Sequence, residues 1–464
     1  YSVDFRTKVD QFSPVVDKGK CIMKLKALST AMILATVPMT GAFAAALDRS
    51  GQSIAAFLQP GNYFEAGISV LDPSVSGKAN AGYTPNAAIP AALAGLENTS
   101  LSDMGEDYYF PSAALKFQVA DKLSVGLLYD QPFGADAAYS VGDAGANPAL
   151  AGLGLPAALF AGQGLFHDGQ EATEVEVTTE NLTFLLGFQP TENWNLYGGA
   201  VYQTVKGNVQ LRGTAYGSTI ALGQYNADVK EDSAVGWIAG LAYQIPEIAL
   251  KASLTYRSEI DHEAATNEYG TSLILTGLVP GPGAVYNENT TTKITTPQSV
   301  NLDFQTGIMA DTVAFANVRW VNWEDFSIRP EQFGTVSEAL GAAGLTPDNP
   351  NGFDLVGYTD DQWSATVGVG RKFNEKWAGN VSVGWDSGAG NPVSTLGPTE
   401  GYWNVGLGLQ FSPAANYFIA GGVKYFWLGD AKAQPASMFG TGNSVAQFED
   451  NHALGYGLKM GYRF

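Results

Sequence analysis

The sequence predicts an all-β fold, a transmembrane antiparallel up-and-down barrel of about 14 strands with a short N-terminal plug. Three observations predict it. Segments in which apolar and polar residues alternate recur from residue 62 to the C-terminus. The connections between them alternate between short and long. After residue 45 no stretch approaches the roughly 20 apolar residues of a membrane helix, so a membrane-spanning chain of this composition must cross as a closed barrel.

The N-terminal region reads as processing sequence. Met23-Lys24-Leu25-Lys26 is a basic start, Ala27 to Val37 is mostly apolar, and Ala42-Phe43-Ala44 is a small-residue cleavage site. Residues 23–44 are therefore expected to be a signal peptide, and residues 1–22 an extension from an upstream gene start, with Met23 the initiator. Cys21 is the only cysteine and precedes the apolar segment, so the mature chain is expected to have no disulfide or thiolate chemistry. Residues 45–61 leave room for only a brief plug, and 62–464 form the barrel.

Strands are expected near 62–76, 105–120, 122–138, 171–190, 192–215, 225–245, 248–265, 290–309, 311–328, 360–374, 376–386, 402–412, 416–430 and 448–464. Their faces are legible. Leu182, Phe184, Leu186 and Phe188 alternate with Thr183, Gly187 and Gln189; Trp403, Val405, Leu407 and Leu409 alternate with Asn404, Gly406, Gly408 and Gln410. The first set of each meets lipid and the second the lumen. The chain ends on the same pattern, with Leu458, Met460, Tyr462 and Phe464 on one face, and this ending on Phe464 resembles the terminal signal that barrel-assembly machinery reads in Gram-negative bacteria. Trp377, Trp385, Tyr417, Tyr425 and Trp427 fall near strand ends, where amphipathic rings favour a membrane interface. Short turns sit near Ala120-Asp121, Pro190 to Asn193, Pro246-Glu247, Ala310-Asp311, Asn374-Glu375 and Ser412 to Ala415. Long connections cover 77–104, 139–170, 266–289, 329–359, 387–401 and 431–447, as an outer-membrane barrel of a Gram-negative bacterium requires.

Composition agrees. The chain of 464 residues carries a formal charge of −20, which argues against nucleic acid as a partner. With 55 Gly and 12% aromatic residues it suits tight turns and interfacial girdles.

Several stretches resemble the FadL / TodX family of outer-membrane transporters for long-chain fatty acids and other hydrophobic compounds. They are Leu254-Thr255-Tyr256-Arg257-Ser258-Glu259-Ile260, Thr296-Pro297-Gln298-Ser299-Val300-Asn301-Leu302, Trp320-Val321-Asn322-Trp323-Glu324-Asp325-Phe326, and Leu127 to Asp136. The resemblance implies a fourteen-stranded barrel with an N-terminal hatch, capture of ligand between external loops, and sideways release at a kink in the third strand. The Asn-Pro-Ala element of family hatches is absent from 45–61; Asn147-Pro148-Ala149 lies in an expected external loop.

A fatty acid needs an apolar path and one place for its carboxylate. Lys251, Arg257 and Arg319 are expected on the lumen face, and Arg257 is the best candidate because a guanidinium binds a carboxylate through two donors. The alternative is pairing of lumen charges with one another, with Glu259 the expected partner of Arg257. Asp130, Pro132, Phe133 and Gly134 interrupt the third strand, because Pro cannot donate to a ladder and Gly permits a kink; the resemblance makes this a lateral gate. Leu273, Leu275 and Leu278 in one connection, and Leu159 and Phe160 in another, are apolar enough to capture a ligand or to pack as a cap. Enzyme signals are poor. His167, His262 and His452 sit in loops or at strand ends, and no HExxH, G-x-S-x-G or metal-ligand spacing occurs, so no cofactor or metal is expected. The reading is a passive, monomeric outer-membrane transporter of hydrophobic molecules; a polar-solute porin or a structural or adhesin barrel is the alternative.

Overall fold

A computed structural model describes residues 47–80, 99–143, 163–279 and 281–464. The expected extension 1–22, the signal peptide 23–44, Ala45, Ala46, and the capture residues Leu159 and Phe160 lie outside the described residues.

Fourteen antiparallel strands close into a barrel. They are β1 (Tyr63–Ser74), β2 (Tyr108–Ala120), β3 (in two pieces, Leu123–Asp130 and Gly134–Ala138), β4 (Glu174–Phe188), β5 (Trp194–Arg212), β6 (Gln224–Ile245), β7 (Leu250–Arg257 and Ile260–Thr271), β8 (Val285–Thr296 and Ser299–Met309), β9 (Thr312–Val321), β10 (Gln362–Lys372), β11 (Trp377–Asp386), β12 (Tyr402–Ala414), β13 (Tyr417–Leu428) and β14 (His452–Arg463). Each pairs with its sequence neighbours, and β14 returns to β1 in a register running from Tyr63↔Arg463 to Ser74↔His452. Closure removes the free edges that an open sheet would present to lipid.

The lipid face follows from period-two alternation. Leu182, Phe184, Leu186 and Phe188 on β4 are exposed while Leu185 between them is buried. On the terminal strand, Leu458, Met460, Tyr462 and Phe464 are 43–52% exposed, a continuous apolar stripe that water would disfavour. Trp385 and Trp403 face one another across β11 and β12 with ring centroids 6.4 Å apart. Among the described residues no helix is long and apolar enough to cross a membrane, so strands provide the crossing.

The short turns fall where the sequence places them, at 121–122, 189–193, 246–249, 310–311, 373–376 and 415–416. Three boundaries differ. β9 stops at Val321 rather than 328, because Trp323 and Phe326 turn inward and pack edge-on against each other, with Trp323 fully buried. β7 and β8 extend to Thr271 and from Val285, which shrinks the expected 266–289 connection to 272–284. β7 is also broken at 258–259, so Glu259 does not share a face with Arg257: it is exposed, Arg257 is buried, and no ion pair joins them.

The long connections pack together over one rim. Short strands from three of them form a second sheet, including Gly77–Ala79, Ala431–Gln434 and Ala446–Phe448. Beneath it lies an apolar cluster containing Val75, Met104, Tyr139, Phe166, Tyr216 and Phe448. The 329–359 connection holds a helix that the strand pattern did not reveal, α1 (Glu331–Ala342). Its N-terminus is capped from outside the helix by Glu268 on β7, whose carboxylate accepts from the backbone N–H of Gln332 and Phe333 (both 2.9 Å), from Tyr225 Oη (2.8 Å) and from Thr290 Oγ1 (2.6 Å). An anion there satisfies orphan N–H groups and complements the helix dipole. Glu268→Ala is expected to strand four donors, two of them buried, at a cost of about 3 kcal/mol, seen as accelerated hydrogen exchange confined to 329–359.

In the 387–401 connection the Glu400 carboxyl is pushed up to about 7 by burial, with Asp386 and Asp360 nearby opposing ionisation further. Its folded pKa lies above its ordinary value, so the stabilisation is complete below the usual carboxylate range and is lost as pH rises through about 7. Amides of 387–401 are expected to exchange faster at pH 8 than at pH 6 after correction for intrinsic rates; Glu400→Gln should remove the difference.

Candidate functional site

Residues 47–61 run inside the barrel, and their placement follows from the lumen side chains. Phe57 is fully buried on two lumen glycines. A Cβ at Gly126 would lie 2.4 Å from the Phe57 ring, and one at Gly187 2.9 Å. The ring edge meets Tyr197 at 5.9 Å, and Ile54 and Leu58 join it in a cluster with Leu185, Val201 and Ile238. Gly187→Val is expected to expel Phe57, at a cost approaching the about 3–5 kcal/mol of losing a buried Phe; thermal melting should record it as a destabilisation that Phe57→Ala does not deepen.

Each of the three expected ligand-binding cations grips this segment. Arg319 uses all five of its N–H donors. Nε and Nη2 hold the two oxygens of Asp48 at 2.9 and 3.0 Å, Nη2 also reaches Gln52 Oε1 at 3.0 Å, and Nη1 donates to Asn301 Oδ1 at 2.7 Å and Ser299 Oγ at 3.3 Å. Both side chains of the Arg319–Asp48 pair are almost wholly buried. Lys251 Nζ donates to the carbonyl of Leu58 at 2.8 Å, and Lys116, which the sequence reading did not single out, donates to that of Gln59 at 2.5 Å. Arg257 Nη2 donates to the carbonyl of Gln52, while its buried Nη1 has no hydrogen-bond partner among the described residues.

The break in β3 is where the sequence places it, and register explains its form. β2 and β3 pair up to Ala113↔Tyr129 and meet again at Gly105↔Ala137. Both pairs belong to one register, so the intervening residues face each other without a slip and without a ladder. Against β4 the register does slip, between Asp130↔Asn181 and Gly134↔Thr178. The extra residue lets 131–133 bow inward. There the backbone pairs with the N-terminal segment instead of β2: Arg49 N–H donates to Pro132 O at 2.7 Å, Gly134 N–H to Leu47 O at 2.9 Å, and Ser50 Oγ to Asp130 at 2.5 Å. Pro111 on β2 flanks the same unpaired stretch, so a proline stands on each side of it. Phe133 points away from the wall; its buried ring meets Trp323 edge-on at 5.4 Å.

Two cavities adjoin the break. An apolar upper chamber is lined by Leu47, Phe133, Val205, Ile294, Trp323 and Tyr358. A side chamber behind the unpaired stretch is lined by Gln52, Pro111, Ala113, Leu128, Asp130 and Arg257. Arg49 borders both.

Of the described capture residues, Leu273 is buried in a 3₁₀ turn (Leu273–Thr276) and Leu275 packs on the cap cluster, whereas Leu278 and its neighbour Val279 are exposed. The connection is thus partly cap and partly open apolar tip. His262 is not at a loop but inside β7, buried between Asp232 (3.0 Å) and Gln203 (3.1 Å).

A closed fourteen-stranded barrel with an apolar outer face and a capped mouth is the architecture of an outer-membrane β-barrel protein. The chain belongs to the family of outer membrane transport proteins comprising OMPP1, FadL and TodX, whose model matches residues 164–464. No curated protein matches it. Among solved structures it is similar to a Pseudomonas aeruginosa FadL homologue (TM-score 0.60, 14% identity, 88% of this chain and 92% of the other). It is also similar to the P. putida toluene transporter TodX (0.57, 12%, 88% and 91%) and to the Ralstonia pickettii toluene transporter TbuX (0.53, 11%, 94% and 98%). At this identity the likeness concerns the fold; membership of the family makes the chain an outer-membrane transporter of hydrophobic compounds.

Proposed function

We propose that this protein carries out passive uptake of long-chain fatty acids or related hydrophobic molecules and releases them sideways into the membrane; it is a channel and not an enzyme. The observation that carries the reading is the in-register but unladdered stretch between β2 and β3 beside a chamber containing Arg257. Ligand is captured at the cap by Leu273, Leu275 and Leu278 together with Leu159 and Phe160, passes the apolar upper chamber, and leaves through the gate of Asp130, Pro132, Phe133 and Gly134. Residues 45–61 act as the plug. No energy source is needed, because an apolar molecule leaving into the bilayer moves to its favourable solvent. The chain acts as a monomer, and Phe464 is read by the assembly machinery.

Arg257 is the carboxylate site in this reading. Its Nη1, without a partner among the described residues, is complemented by a carboxylate. Arg257→Lys keeps the charge and a donor for the Gln52 carbonyl but loses the fork. Oleate affinity is expected to fall by about tenfold, roughly 1.4 kcal/mol, with toluene affinity unchanged. Titration of the purified barrel with oleate, hexadecane and toluene tests both this and the substrate class. Binding of none of them, together with ready conduction of small hydrophilic solutes in bilayers, would replace the reading with a polar porin.

A further inference from the structure

We propose that Arg49 is the latch between the upper apolar chamber and the side chamber, so that ligand reaches the lateral opening only when this guanidinium moves. The inference rests on the lateral-release reading and adds the group that controls it. Arg49 is the charged residue common to the linings of both chambers. It is 3% exposed, and contacts to both sides of the break hold it at the boundary. Its backbone N–H donates to Pro132 O at 2.7 Å, its Nε donates to Gly134 O at 2.6 Å, and its guanidinium lies 3.7 Å from the centre of the Tyr108 ring. Tyr108 stands on β2, and Pro132 and Gly134 stand on the bowed part of β3. Arg49 therefore spans the same interval from which the ladder is missing, substituting side-chain contacts for backbone pairing.

Tyr108 completes the closure. Its hydroxyl donates to Asp136 O at 2.5 Å and accepts from Asp136 N–H at 2.8 Å, tying β2 to the upper piece of β3 above the opening. Residue 134 must be small for the arrangement to exist. A Cβ there would sit 2.8 Å from Val177 O and 3.4 Å from Arg49 Nε. Asp48 has its own clamp in Arg319, so in the latch Arg49 moves while that pair stays closed: the rest of the segment remains seated and only the boundary opens.

The test uses a reporter in the upper chamber. Val205→Cys places a single thiol there in a mature chain whose sequence otherwise has no cysteine after Cys21. Purified barrel in lipid vesicles is exposed to a pyrene maleimide dissolved in the bilayer. Labelling should be slow with Arg49 present and about tenfold faster with Arg49→Ala, corresponding to a barrier lower by about 1.4 kcal/mol. Arg49→Lys, which keeps the charge but loses the planar stack, should fall between. Heat-modifiable migration on gels reports folding of each variant, and Tyr108→Leu provides a second way to open the latch should Arg49→Ala fail to fold. Unchanged labelling in a folded Arg49→Ala or Tyr108→Leu barrel overturns the latch. So does equal acceleration when the wall is closed by Pro111→Thr, Pro132→Val and Gly134→Val, because the reagent would then arrive from above. The lateral-release reading fails by a different result, undiminished uptake through the closed wall, so the two failures are separable.

Discussion

Arg319→Ala should release the N-terminal segment from the lumen while leaving the barrel closed. The barrel does not depend on Arg319 for its ladder, since β9 pairs with β8 and β10 through backbone bonds over its whole length. The segment does depend on it. Asp48 would lose both hydrogen bonds from its buried partner, and Gln52, Asn301 and Ser299 would each lose a donor. An unpaired buried carboxylate costs about 3–5 kcal/mol, comparable with what Phe57, Ile54 and Leu58 contribute by burial. Two measurements check the outcome. Trypsin should cleave after Arg49, which is inaccessible in the intact protein, and single-channel conductance in a planar bilayer should rise as the segment leaves. Removing both charges together, with Asp48→Leu and Arg319→Met, should restore much of the seating, because the cost lies in the orphaned charge rather than in the absent ion pair. If Arg319→Ala resists trypsin as well as the parent does, the clamp is not what holds the segment.

This clamp shows where the sequence was readable. Strand positions, faces and short turns follow from period-two alternation, which is a local property: Leu182 to Phe188 declare their outer face without reference to any other strand. Arg319 is likewise legible as a lumen residue from its position on β9. Its partner is not, because Asp48 lies 271 residues away and nothing local marks it. Gly126 and Gly187 are visible as lumen glycines, but only the fold shows that the space they leave is filled by Phe57. The break in β7 reversed one inference: alternation counted through 258–259 put Glu259 beside Arg257, whereas the interruption puts it on the exposed side. α1 and its cap by Glu268 escaped for the same reason as Asp48, since a side chain 63 residues before the helix supplies the N-cap function. The kink in β3 was legible because Pro132 and Gly134 are local signals. Pro111, equally local, becomes informative only when the register sets it against the same unpaired stretch.

Closing that stretch should abolish most uptake. Pro111 and Pro132 each remove a backbone donor from facing edges, and the register from Ala113↔Tyr129 to Gly105↔Ala137 shows that, toward β2, no residue need be added or deleted for the ladder to form; the one-residue excess toward β4 stays as a bulge. What prevents it is the inward bow, kept by missing donors on the wall side and by bonds to Leu47 and Arg49 on the lumen side. Pro111→Thr and Pro132→Val restore the donors with residues of high strand preference. Gly134→Val adds a Cβ that the bowed backbone cannot accommodate against Val177 O, and so favours the flat strand. Phe133 is left in place, since its ring packs on Trp323 and its loss would open a cavity unrelated to the wall. Oleate uptake by cells that depend on this protein should fall by about tenfold or more, a barrier of at least about 1.4 kcal/mol, while surface abundance and heat-modifiable migration are unchanged. Hydrogen exchange should show new protection at 108–112 and 131–134, which establishes that the wall has closed. With that protection in hand, undiminished uptake would mean that ligand passes down the lumen beside the N-terminal segment, and the side chamber with Arg257 would then be a blind pocket rather than the way out.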